Sequence, residues 1–204
     1  MSLVDQNRET ISRISDKNSR NYIDLPYYYK EFRYPVSIEL AEYVGRNAYQ
    51  NEVLDPIGFL TILGTKIYST IRTSGEASSL ANFIDKEEPE RFIEKSSDFI
   101  RNVKRWETGL IEDDGFSRII EDFCLRTQGV RLPVISFFLR MLQPKRFGTL
   151  DIRATQALFT LGFKGVKKIP MIRDKSEYLR TYSGLNYLQY NELLIEIGKS
   201  YQVR

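Results

Sequence analysis

Apolar residues recur along this chain at helical spacing, and no stretch alternates with the period of two that a half-buried strand requires. In SIELAEYVGRNAYQ the positions Ile38, Leu40, Ala41, Val44 and Ala48 follow that spacing, and Ser37 stands where an N-cap belongs. LDPIGFLTILGTKIYSTI opens on Asp55 as N-cap with Pro56 at the first helical position. Its apolar residues nearly encircle the axis, which predicts deep burial. SLANFIDKEEPERFIEKSSDFIRNVKRWETGLI reads as two or three amphipathic helices, broken near Pro89 and stopped at Gly109. GFSRIIEDFCLR predicts another, with Phe116, Ile119, Ile120, Phe123 and Cys124 on one side. The pattern is all-α throughout.

Residues 1–20 lack a clear apolar stripe and read as a polar tail or a loosely docked helix. Residues 21–204 then form a single all-helical domain, long enough to bury a substantial core. Near its start, YIDLPYYYKEFRYP places several tyrosines between Pro26 and Pro35, where the backbone is expected to be irregular. Those rings can pack on a core or, beside Lys30 and Arg33, stack on bases. No internal repeat or low-complexity tract interrupts the chain. No run approaches the roughly 20 apolar residues of a membrane span, and the first residues are too polar for a signal peptide. The expected location is the cytoplasm.

Two absences prune the chemistry. The chain has no histidine, which removes Ser-His-Asp and Cys-His arrangements and His-ligated zinc. It has one cysteine, Cys124, so neither an internal disulfide nor a four-cysteine cluster can form. Within RIIEDFCLR that thiol reads as a buried structural residue. No metal and no cofactor is expected, and catalysis would fall to carboxylates, lysines, tyrosines and water. Charge is uneven: residues 1–125 hold 16 Lys and Arg against 22 Asp and Glu, whereas residues 126–204 hold 14 against 5. The second part thus carries a net +9 and suits an anionic partner, or complements the acidic part within the fold.

The most informative stretch is residues 115–163, GFSRIIEDFCLRTQGVRLPVISFFLRMLQPKRFGTLDIRATQALFTLGF. The turn TQGVR joins two helices, with Gly129 where a left-handed backbone is needed. Pro133 suits the first turn of VISFFLRML, a helix apolar nearly all round and ended by Gln143-Pro144. The loop KRFGT leads to Leu150-Asp151, and Asp151 opens the helix IRATQALFTLGF. A tight turn at a helix N-terminus presents backbone N–H groups and the positive end of the dipole, which can seat a phosphate without reading base sequence. Arg131 would add a charge-assisted contact there.

This order of elements resembles the helix-hairpin-helix and Gly/Pro-rich loop–aspartate element of the endonuclease III-like DNA glycosylases. Gly129-Val130 matches the Gly-Val pair of that family's hairpin, Asp151 matches its aspartate, and LDPIGFLTIL is similar to its first core helix. The likeness spans about residues 50–165. It implies a bilobal multi-helix fold, duplex DNA as partner of a monomeric protein, and excision of a damaged base. Arg131 replaces the hairpin's second glycine, no lysine stands at the start of the following helix, and the four-cysteine cluster is missing. The resemblance therefore implies a monofunctional enzyme or a non-catalytic relative.

In such an enzyme a carboxylate beside the sugar stabilises the positive charge that develops as the base departs, or activates water, on a nucleotide flipped into a pocket. Asp151 is the candidate catalytic residue, with Lys145, Arg146 and Arg153 as DNA-binding neighbours. The alternative is that Asp151 is a plain N-cap accepting from the amide of Ala154 or Arg153. Tyr68 is the candidate wedge for the hole left by a flipped base, or else a core tyrosine. The basic run KGVKKIPMIRDK can track a phosphate backbone or be a solvated loop. Three functions follow: a DNA glycosylase, a DNA-binding protein without chemistry, and a helical protein-interaction protein.

Overall fold

A computed structural model describes residues 1–20, 23, 35–63 and 89–201. Nine helices appear among these residues, and no strand: α1 (Leu3–Ser15), α2 (Pro35–Asn51), α3 (Pro56–Leu63), α4 (Pro89–Glu107), α5 (Asp113–Arg126), α6 (Leu132–Leu142), α7 (Ile152–Thr160), α8 (Lys175–Thr181) and α9 (Gly184–Ser200). The Tyr-rich segment between Pro26 and Tyr34, and Tyr68 with its neighbours, lie outside the described residues.

Local sequence explains most of the helix ends. Asp55 caps α3 by accepting from the amides of Ile57 and Gly58 at 3.0 and 3.1 Å. Pro89 starts α4 and Gly109, at φ +75°, lies just beyond its end. The helix expected from Ser37 begins two residues earlier at Pro35, so Ser37 is an internal helical residue rather than the cap. Proline at the first turn loses no hydrogen bond there, which makes it the stronger start signal.

Residues 3–15 form a helix whose Ile11 and Ile14 are buried against the body of the protein, chiefly on α9. Its inward stripe runs through Asn7, fully buried, whose Nδ2 donates to the Lys164 carbonyl and whose Oδ1 accepts from the Lys164 amide. A polar residue on the buried face is why hydropathy alone shows no stripe.

The core centres on α6, of whose eleven residues nine are buried. Helix α2 approaches so closely that a Cβ on Gly45 would lie 1.9 Å from the Met141 carbonyl oxygen, so only glycine fits that crossing. Phe99 of α4 stacks on Phe123 with ring centres 4.6 Å apart and also meets Phe116 and Phe138, joining α4, α5 and α6. Such ring pairs add about 0.5–1.5 kcal/mol each beyond the area they bury. Helix α9 completes the packing with Tyr187, Tyr190 and Leu193, each at most 1% exposed.

Candidate functional site

The connection from α6 to α7, residues 143–151, is held by side chains from two sides. Ser136, fully buried in α6, donates its hydroxyl to the Pro133 carbonyl at 2.8 Å and accepts from the Leu150 amide at 2.8 Å. Arg140, one turn further along α6, donates Nη1 to the carbonyls of Pro144 and Phe147. From α9, Asn191 accepts from the Gly148 amide at 2.7 Å and donates to the Arg146 carbonyl at 2.8 Å. Tyr187 donates to the Gly148 carbonyl at 3.2 Å. Phe147 and Leu150 are buried beneath the loop. A loop whose backbone polar groups find side-chain partners in the core has few ways to move.

Asp151 stands at the end of this braced loop, half-buried, as the N-cap of α7. Its Oδ1 accepts from the Ala154 amide at 2.6 Å, while Oδ2 has no hydrogen-bond partner among the described residues. The Ser136 hydroxyl bridges the first turn of α6 and the residue before Asp151. The backbone entering Asp151 is therefore tied to α6, and its carboxylate is held at the start of α7 by the Ala154 amide. Burial pushes the Tyr190 phenol well above its ordinary range, and the nearby Asp151 charge adds to that shift. Tyr190 is thus a neutral packing partner under the site, not an acid or base near neutral pH.

The turn between α5 and α6 runs from Thr127, the C-cap of α5, to Leu132 at the start of α6. Gly129 takes the left-handed backbone expected of it, at φ +72°. Val130 is buried and its carbonyl accepts from the Cys124 thiol at 3.2 Å, which makes Cys124 an inward structural residue. Arg131 is the N-cap of α6, and no side chain caps that helix end. Its guanidinium donates to the carbonyls of Ile172 and Arg173 and lies over the Tyr178 ring, 5.3 Å from its centre. Lys175 reciprocates by donating to the carbonyls of Cys124 and Thr127, both at 2.6 Å. Arg131 therefore braces the segment after residue 170 against the turn between α5 and α6.

The remaining cations separate into two groups. Arg146 is committed: it lies over the Trp106 ring at 4.5 Å and within 3.8 Å of the Glu107 carboxylate. Trp106 in turn stacks on Phe116 at 4.6 Å and donates to Asp113, while the Tyr49 hydroxyl hydrogen-bonds Glu107. Lys145 and Arg153 are exposed, and neither has an ion-pair partner among the described residues. Arg153 lies on an exposed face of α7 with Ile152, Gln156, Ala157 and Thr160, which together line a shallow groove. Among the described residues no group of three or more carboxylates or thiols is placed to hold a metal ion.

Sequence reasoning missed the residues that build this site's frame: Ser136, Arg140, Tyr187 and Asn191. Each sits in an apolar helical run, and the polar interruption of the run is the one signal that marks them. Compared with known protein families, curated proteins and solved structures, the chain matches none.

Proposed function

We propose that this protein binds duplex DNA through the turn at residues 127–133 and excises a damaged base with Asp151, as a monofunctional glycosylase of the helix-hairpin-helix, bilobal type. The observation that supports the reading is the Ser136 bridge, which ties the backbone just before Asp151 to α6, the helix that follows the turn, while one oxygen of the Asp151 carboxylate has no hydrogen-bond partner among the described residues. A phosphate seated on the uncapped start of α6 would bring the neighbouring sugar toward that oxygen. There the carboxylate offsets charge developing at C1′, water adds to C1′, and the base leaves with a proton. Preorganisation is what gives such a group its effect, because a braced carboxylate does not reorganise as charge develops. Lys145 and Arg153, exposed on either side of Asp151 in sequence, supply positive charge for the flanking phosphates. No cofactor is required.

The test is excision from duplex oligonucleotides carrying a panel of base lesions. Asp151→Asn is expected to abolish cleavage while retaining binding and circular dichroism. No cleavage of any lesion by the natural protein would refute the enzymatic reading. A second reading, a DNA-binding protein without chemistry, is favoured by one observation: Asp151 already serves α7 as a hydrogen-bonded N-cap through Oδ1. In that case salt-sensitive duplex binding is retained with no product, and Asp151→Asn changes stability alone.

A further inference from the structure

We propose that residues 163–173 are a braced cationic track that extends the DNA-binding surface from the hairpin to α1, resting on the DNA-binding reading above. Inward and outward residues alternate here with a period of three. Phe163, Val166 and Ile169 are buried at 3%, 9% and 6% exposure, and Ile172 is half-buried against the same core. Between them Lys164, Lys167, Lys168 and Arg173 are all exposed. A merely solvated loop has no reason to bury every third residue, and the anchoring sets each charged side chain on the outer side.

Both ends of the track are fastened. At the α1 end, the fully buried Asn7 makes two hydrogen bonds to the Lys164 backbone, at 2.7 and 2.9 Å, in the manner of a neighbouring strand. Gly165 packs so tightly there that a Cβ would meet Leu3 at 2.7 Å. At the hairpin end, Arg131 holds the carbonyls of Ile172 and Arg173, and Lys175 holds those of Cys124 and Thr127. Helix α1 also contributes charge. The Arg13 guanidinium lies 3.9 Å from where a Cβ on Gly162 would stand, at the head of the track. Arg13, Lys164 and Lys167 have no ion-pair partner among the described residues, and Lys168 lies over the exposed Phe159 ring at 4.4 Å.

Exposed cations on and beside an anchored segment, three of them with no ion-pair partner among the described residues, fit a linear polyanion, and the segment's continuity with the turn at 127–133 makes that polyanion the duplex whose phosphates the turn would seat. Asn7 and Arg131 are positioning residues in this scheme: they order the track without touching the ligand.

The measurement is fluorescence anisotropy of a labelled 20-base-pair duplex titrated with the full chain over a range of NaCl concentrations. The variant Lys164→Gln/Lys167→Gln/Lys168→Gln keeps side-chain length and is expected to flatten the slope of log K against log salt by roughly 2 to 3, at about 0.9 per phosphate contact. Asn7→Ala, which leaves every lysine in place, is expected to weaken binding about tenfold at low salt with α1 still helical by circular dichroism. Duplex binding with an unchanged slope in the triple variant overturns the track while leaving the DNA-binding reading standing. An affinity for duplex no greater than for a neutral polymer, in the natural protein, overturns both.

Discussion

Replacing Asn191 by alanine tests whether the loop leading to Asp151 is braced as described. Asn191 is 3% exposed, and its amide makes the two hydrogen bonds that close the middle of the loop onto α9, to Gly148 and Arg146. Alanine removes both and leaves the Gly148 N–H and the Arg146 carbonyl without side-chain partners. Leaving a buried group unsatisfied costs about 1–3 kcal/mol. Gly148 is half-buried and Arg146 exposed, so water can reach part of each group, and the lower quarter of that range, about 1–1.5 kcal/mol each, applies. The two together give roughly 2–3 kcal/mol. For a chain of 204 residues, 1 kcal/mol corresponds to about 2–4 °C, so the midpoint of thermal unfolding should fall by about 4–12 °C. Calorimetry reads the shift, and hydrogen exchange shows whether the amides of residues 145–151 become labile ahead of the rest. Asn186→Ala at the half-buried start of α9 removes only a capping box and serves as the comparison. A midpoint unchanged within 1 °C, with exchange in the loop also unchanged, would refute the argument that Asn191 orders it.

Two further outcomes follow from the same structure. Gly129→Ala, at φ +72°, should cost about 1–2 kcal/mol because a Cβ disfavours the left-handed region, and a melt within error of the natural protein would contradict that turn geometry. Burial raises the phenols of Tyr182, Tyr187 and Tyr190 above the ordinary value near 10. The unfolded chain then releases those protons first, so stability is full below about pH 10 and falls as pH rises further, by up to about 1.4 kcal/mol per pH unit for each tyrosine. Ultraviolet titration should show these phenols ionising together with unfolding, and smooth ionisation of every tyrosine near pH 10 in a folded chain would count against their burial.

Local sequence was enough for the all-α class, the start of α3, both ends of α4, the left-handed glycine at 129, the inward thiol at 124 and the start of α7 at Asp151. These are decided within one or two turns of helix, by residues whose backbone preferences or side-chain reach act locally. It left residues 1–20 between a polar tail and a loosely docked helix, because the stripe that docks α1 passes through Asn7, whose partner Lys164 is 157 residues away. The parts assigned to Arg131 and Arg146 were likewise decided by tertiary structure alone. Both sit in basic, turn-rich sequence that suits a phosphate contact, yet one donates to carbonyls 41 and 42 residues distant and the other lies on a tryptophan of α4. Nor does any local pattern mark Ser136 and Asn191, since a polar residue in an apolar helix acquires a purpose only when packing brings an unsatisfied backbone group to it. Local chemistry therefore sets where Asp151 begins its helix, and packing across the chain sets what holds it there.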